Sequence, residues 1–185
     1  SAMDLTKLID NVLDIAMIDA GRSELNLGDV DLASVFRETV DMSATNAEAT
    51  QVKFDIDLPK DLPPIRADEK RIRQILFNLV SNAMRFCGPG NTITLKAEQI
   101  DTMMRMSVSD NGRGIEYTRQ AAAFESFVSG DRSGVGLGLA LVRAFTQQHG
   151  GLVTMTSEPG EGTEVVCLLP IQASPRHATP ELTLH

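Results

Sequence analysis

No apolar run in this chain approaches the length of a membrane-spanning helix, and no signal peptide is visible. Membrane contact by these residues is therefore not expected. They read as cytoplasmic, with anchoring of a longer protein left open. Basic residues are also outnumbered: 17 Lys and Arg stand against 25 Asp and Glu, for a formal charge of -8 and a pI near 4.8. A nucleic-acid binder normally carries a basic face, so that class is disfavoured. An acidic chain can still hold a nucleotide, because local amide dipoles and a metal outweigh net charge there. Cysteine is scarce: Cys87 and Cys167 fit buried thiols in a reducing compartment better than a disulfide framework. What remains is ordinary, with 42% hydrophobic and 23% charged residues over 185 positions, enough for one substantial domain and an appendage. The opening Ser1-Ala2-Met3 reads as a vector remnant, so the native chain is expected to extend upstream.

The periodicities predict a mixed architecture. Leu5, Leu8, Ile9, Val12, Leu13 and Ala16 recur at three- and four-residue steps, an amphipathic helix stopped by Gly21. One helix cannot bury its own stripe, so a partner outside these residues, or a second chain, is expected to cover it, with a helix folded back on its own domain as the plainer alternative. Residues 22–31 read as a polar connector, and a helix follows over 32–48. Val52, Phe54, Ile56 and Leu58 alternate as a strand. A helix over 68–86 is N-capped by Asp68, and strands are expected at 91–99 and 103–109, the second alternating Met104, Met106 and Val108. A glycine-bearing stretch occupies 110–136. A helix near 137–149 stops at Gly150-Gly151, strands near 152–157 and 164–169 close the domain, and 171–185 reads as a disordered tail. Strands and helices that do not strictly alternate indicate an α+β fold, a two-layer α/β sandwich over 32–170.

Four blocks concentrate the chemistry: NLVSNA at 78–83, DNGRGI at 110–115, GVGLGL at 134–139 and EGT at 161–163. Asn78 and Asn82 lie four residues apart on one helix face, and Arg85 extends the row. A carboxamide oxygen suits magnesium and an arginine suits phosphate, although on this helix alone two solvated asparagines would be the plainer reading. Asp110 ends a strand, where its carboxylate can accept a hydrogen bond from an exocyclic amine such as adenine N6. Gly112 and Gly114 free the backbone for close approach to a ligand. Gly134, Gly136 and Gly138 open into a strong helix, aiming free amides at its positive end toward phosphate. Each block is weak by itself; the order and spacing of the set make an ATP site the leading reading.

As an ordered set over roughly residues 4–170, these blocks resemble the ATP-binding domain of bacterial sensor histidine kinases, within the gyrase–Hsp90–MutL-type ATPase superfamily. Gln74–Phe86 looks like the family's asparagine box and DNGRGI like its first glycine box. FESF, with Phe124 and Phe127, resembles the phenylalanine box, and GVGLGLALV the second glycine box, followed by HGG and PGEGTEV. The resemblance implies a Bergerat-type sandwich holding ATP and Mg2+ under a mobile lid, with adenine on Asp110. Asn82 would be the magnesium ligand, helped by Asn78, and Arg85 would approach the phosphates where a lysine is commoner. Gly112, Gly114, Ile115, Phe124, Phe127, Gly134, Gly136, Leu137, Gly138, Leu139 and Thr163 would complete the nucleotide site. Residues 1–21 resemble the second helix of a dimerisation hairpin. The partners implied are ATP, that hairpin in its own or a second subunit of a homodimer, and a response regulator. ATP-hydrolysing members carry a glutamate at the position of Asn78; an amide cannot take a proton at neutral pH, so phosphoryl transfer fits better than hydrolysis.

Two departures qualify the likeness. The histidines are His149, His177 and His185, and none lies on the first helix. His149 falls within the HGG turn and reads as structural. Between Phe127 and Gly134 stands only VSGDRS, a lid shorter than the family's usual one. This short lid and GLGLALVRAFTQQHGG are similar to the DivL-like branch of alphaproteobacterial cell-cycle kinases. There a tyrosine replaces the acceptor histidine, which keeps a signalling scaffold with weak nucleotide binding as the alternative function.

Overall fold

The computed structural model describes residues 2–125 and 136–172. In chain order the elements are α1 (Ala2–Asp19), β1 (Gly28–Val30), α2 (Leu32–Thr50), β2 (Lys53–Asp57), β3 (Ile65–Ala67) and α3 (Glu69–Phe86). There follow β4 (Thr92–Ile100), β5 (Met103–Asp110), α4 (Tyr117–Gln120), α5 (Gly138–Gln148), β6 (Leu152–Glu158) and β7 (Gly162–Pro170). Five strands form one sheet in the order β2-β4-β5-β7-β6, with β2 parallel to β4 and the other pairs antiparallel. Helices α2, α3 and α5 pack against it, giving the two-layer α+β sandwich expected.

The alternation in β5 explains its seat. Met104, Met106 and Val108 point inward at 0%, 0% and 3% exposure, beside Leu95 and Ala97 of β4 and Val165, Cys167 and Leu169 of β7. Against them α3 buries Ile72, Ile75, Leu76, Leu79, Val80 and Ala83, the 3.6-residue stripe of that helix. Helix α5 contributes Leu141, Val142 and Phe145, and α2 contributes Leu32, Val35 and Phe36. Asp68 caps α3 by accepting from the Arg71 N–H at 3.2 Å, an interaction worth about 1 kcal/mol. Its other oxygen accepts from the Asn26 N–H at 2.9 Å.

His149 closes the far end of α5. Its Nδ1 donates to the Phe145 carbonyl at 2.7 Å, and its Nε2 accepts from the Asp68 N–H at 3.0 Å. That arrangement needs the neutral ring, and burial pushes the imidazole below its usual range. A single side chain therefore ties the start of α3 to the end of α5, the structural role read for it.

Three short pieces differ from the sequence expectation. The connector over 22–31 contains β1, which pairs antiparallel with β3, so Gly28 faces Ala67 and Val30 faces Ile65. It is further pinned where Gln148 Nε2 donates to the Ser23 carbonyl at 2.9 Å. Helix α4 sits inside the glycine-bearing stretch. Three- and four-residue elements are too short to display a period, and β1 and β3 exist through each other rather than through local propensity. At the other end, Ile171 and Gln172 still belong to the fold: Ile171 donates to Thr102 at 3.0 Å and accepts from the Arg66 N–H at 2.7 Å. Residues 173–185, read as tail, lie outside the described residues.

Helix α1 presents two faces. Asn11, Asp14, Ile15 and Ile18 turn inward, and Asp14 meets Arg71 of α3 at 2.9 Å with both side chains mostly buried. Arg71 also donates to Gln74 at 2.9 Å and lies 4.6 Å over the Phe145 ring. The other face leaves Ile9, Val12, Leu13 and Met17 between 39% and 56% exposed. Of the stripe read from the sequence, Ile9, Val12 and Leu13 lie on this outer face, while the inner face docks the helix on its own domain, the alternative set beside it.

Candidate nucleotide site

Both glycine segments converge on α3. Midway along that helix, a Cβ built on Gly138 would lie 3.7 Å from Asn78 Oδ1, so the first turn of α5 rests directly on the asparagine. At its C-terminal end, Arg113 N donates to the Phe86 carbonyl at 3.0 Å, and the Arg113 guanidinium covers the Phe86 ring at 4.9 Å. Asn82 falls between these anchors on the same face as Asn78, half-buried. The anchors are eight residues apart, about 12 Å at 1.5 Å per residue, a span that lets an extended nucleotide lie along the helix.

Asp110 is held rigidly. Its carboxylate accepts from the Gly112 N–H at 2.9 Å, an Asx-type turn, and the Thr163 N–H supports it from β7. Burial pushes its carboxyl above the usual range, and those two amides pull it back. The neighbouring Cys87 thiol is pushed up to about 11, first by burial and then by the Asp110 charge, so it stays protonated.

The glycines of the DNGRGI loop also admit a close approach that the sequence reading did not name. A Cβ on Gly112 would stand 2.3 Å from the Phe86 carbonyl oxygen, and one on Gly114, at φ +67, 2.1 Å from that of Glu158. What comes close here is the protein's own backbone, and the effect is to seat Asp110. Below the loop, Ile115 N donates to Ser157 Oγ at 2.9 Å, and that hydroxyl lies 2.8 Å from Thr163 Oγ1. Gln120 of α4 donates to the carbonyls of Ile115 and Ser157 at 2.7 and 3.0 Å.

At α5 the helix begins after Leu137, with no side-chain cap, and Gly136 takes φ +64 immediately before it. The amides of its first turn thus open beside Asn78 without a side chain of their own segment to satisfy them. Leu137 and Leu139 are buried at 3% and 8%, fixing the turn to the core.

Residues 67–173 match the model of histidine kinase-, DNA gyrase B- and HSP90-like ATPases, more than half of the chain. The chain belongs to that family. Among named relatives, the sensor protein DivL of Caulobacter vibrioides is 40% identical over 98% of this chain and 24% of its own length. The histidine protein kinase DivJ of the same organism is 35% identical over 95% of this chain and 30% of its own. Among solved structures, full-length ShkA in complex with AMPPNP superposes with a TM-score of 0.84 at 34% identity, over 94% of this chain and 37% of that one. The chain thus spans about a fifth to two fifths of the curated relatives it matches.

Within this ATPase domain, α3 and the loops beside it assemble Asn78, Asn82, Asp110, Gly112, Gly114, Ile115, Gly138 and Thr163. Ile115 and Thr163 are buried at 8% and 5%, so they form the underside of the loop. Arg85 is exposed on the last turn of α3, and Phe124 packs half-buried on the core. Phe127, Gly134 and the VSGDRS lid lie outside the described residues. The sequence reading missed the Phe86 carbonyl, Ser157 and Gln120. Their contribution is support of the loop's main chain, and the Ile115–Ser157 and Gln120–Ser157 bonds span 42 and 37 residues, which no local motif signals.

The residues present fit a magnesium–nucleotide complex. Among the described residues no group of three or more His, Cys, Asp or Glu could hold a bare cation. Magnesium held instead by one or two protein oxygens, phosphates and water matches its ordinary habit, and the carboxamides of Asn78 and Asn82 offer such oxygens.

Proposed function

We propose that this chain is the ATP-binding catalytic domain of a sensor histidine kinase. In this reading it binds Mg–ATP along α3 and delivers the γ-phosphoryl group to an acceptor side chain on a dimerisation hairpin of which α1 is the second helix. A response regulator then receives the group. The observation carrying this reading is the convergence of both glycine segments on one asparagine-bearing helix, with Asp110 fixed at one end for the adenine amine and open amides at the other for phosphate. The AMPPNP complex of its structural neighbour supports the nucleotide. Magnesium would neutralise the phosphate charge, held by Asn82 with help from Asn78. Arg85, on the same helix, would add its charge from the rim.

Asn78 favours transfer over hydrolysis, because a carboxamide cannot accept a proton from water. Transfer requires positioning and water exclusion more than covalent chemistry by the protein. A direct test mixes the protein with Mg–ATP and a purified acceptor hairpin and looks for acid-labile phosphate. Phosphate on the hairpin supports the enzyme; good ATP binding with no transfer would end it.

The alternative is a scaffold of the DivL type that binds nucleotide weakly and signals by docking. It is favoured by the 40% identity to that sensor protein. Calorimetry separates binding from chemistry. Asn82→Ala should remove magnesium-dependent ATP binding; an unchanged affinity would refute its assigned role.

A further inference from the structure

The connector from α1 to β1 is gripped by two side chains of the catalytic domain, and the grips are unequal. At one point the Asn26 N–H donates to Asp68 Oδ2 at 2.9 Å, and that residue is only 7% exposed. A hydrogen bond to a carboxylate is about twice as strong as a neutral one, so this point is the firm one. At the other, Gln148 at the end of α5 donates from Nε2 to the Ser23 carbonyl at 2.9 Å and to Ser23 Oγ at 3.1 Å. Both of these bonds are neutral. Only the NH2 side of an amide can meet a carbonyl, so Oε1 is turned the other way. Among the described residues that buried oxygen has no hydrogen-bond partner. An unmet buried acceptor costs about what one or two neutral bonds return. The grip on Ser23 is therefore close to balance, three residues from a grip that is not. On its other side lies Gly21, at φ +66 with no atom within 4 Å of where a Cβ would stand, which leaves the chain room to turn.

We propose that Gln148 is a releasable catch that holds the connector against α5. When it lets go, residues 21–25 lift away and α1 turns about Gly21, while Asn26 stays on Asp68. Opening exposes Oε1 to solvent and removes the cost of stranding it, which offsets the two bonds lost. The firm point at Asp68 confines the movement to the α1 side, since β1 stays paired with β3. The inner face of α1, with Asp14 on Arg71, docks or leaves together with the connector. In the reading above α1 belongs to the hairpin, so the catch sets how freely the ATPase domain turns against the acceptor. That consequence rests on the proposed function; the catch itself does not.

The test is the rate of tryptic cleavage of the whole native protein after Arg22, which is exposed at the start of the connector. Where opening and closing are fast, that rate follows the population of the open form. Gln148→Glu keeps the shape and loses both donors, so cleavage should quicken about ten-fold, the worth of one or two neutral hydrogen bonds. Gln148→Lys keeps donors for Ser23 and has no oxygen to strand, so cleavage should slow at least about five-fold. A lysine at the end of a helix also complements the helix dipole. Gln147→Lys, exposed on the same turn, supplies that charge without the bonds to Ser23 and should leave the rate unchanged. Equal rates in Gln148→Lys and the parent, or equal slowing by Gln147→Lys, overturns the proposal. ATP affinity should stay within about two-fold in all three variants, because Gln148 lies about 15 Å along α5 from the amides at its start. Lost affinity together with fast cleavage means that α5 itself has unwound, and also overturns it. A parent protein that binds no ATP strikes the proposed function and leaves the cleavage rates readable.

Discussion

Asp110 carries opposing demands within one side chain. Its charged form is disfavoured by burial, which raises its pKa, yet a charged acceptor is what an adenine amine binds best. The sign of the stability effect follows: a carboxyl raised by folding contributes stability below its unfolded value, near 3.8, and that contribution is lost as pH rises through the folded value. At neutral pH the carboxylate therefore costs the apo protein stability. Asp110→Asn keeps an oxygen for the Gly112 N–H and removes the charge, so thermal melting at pH 7 should be unchanged or higher. ATP affinity should fall about 10- to 100-fold, the worth of one hydrogen bond to a charged group. A clear drop in melting temperature with affinity intact would contradict both halves. Gly114 makes a sharper case of backbone cost. At φ +67 with a carbonyl oxygen 2.1 Å from where a Cβ would stand, Gly114→Ala forces the loop away from Glu158. The loss should exceed the roughly 1 kcal/mol usual for a left-handed residue, and urea unfolding measures it.

At the scale of elements, legibility followed length. The long helix α3 and the strands β4 and β5 announced themselves through periods of 3.6 and 2 sustained over several repeats, and Asp68 marked the start of α3. Strands β1 and β3, with three residues each, had no room for a period; only their pairing across the chain defines them. The site divides in the same way. Asn78, Asn82 and Asp110 stood out as candidates because motif and side chain coincide, whereas the packing of Gly112 and Gly114 against the protein's own backbone did not. Nothing local says that the atoms crowding them belong to Phe86 and Glu158. His149 shows how such long-range ties can be tested. Folding lowers its pKa, so its neutral ring contributes stability above the unfolded value, near 6.5, and that contribution is lost as pH falls through the folded value. Wild-type protein should thus lose more of its urea midpoint between pH 7 and 5.5 than His149→Asn, which starts lower at pH 7 and lacks the titrating ring. Parallel pH curves would remove His149 as the proton-linked tie between α3 and α5.

The whole molecule is held together across α1 by two unlike surfaces, and they should fail independently. The inner face is polar and specific: Asp14 and Arg71, at 22% and 14% side-chain exposure, form a partly buried pair backed by Gln74 and the Phe145 ring. A pair so shielded is worth more than the fraction of a kcal/mol of an exposed one, and removing one partner strands the other charge. The outer face, with Ile9, Val12, Leu13 and Met17, is apolar and open. Four large side chains in one exposed stripe form the surface that, in the proposed hairpin, another helix would cover. Leu13→Glu should therefore reduce self-association in sedimentation experiments, and the melting temperature of the catalytic domain should stay within a degree or two, since Leu13 packs on none of its core. Asp14→Ala should do the reverse. It should leave self-association intact but loosen α1 from α3, seen as faster proteolysis at Arg22, just beyond the helix. Reversing the pair, with Asp14→Arg and Arg71→Asp together, should restore protection at least in part, because the carboxylate and guanidinium meet again. If Leu13→Glu instead lowers the melting temperature, the outer stripe packs within the molecule and α1 has one working face.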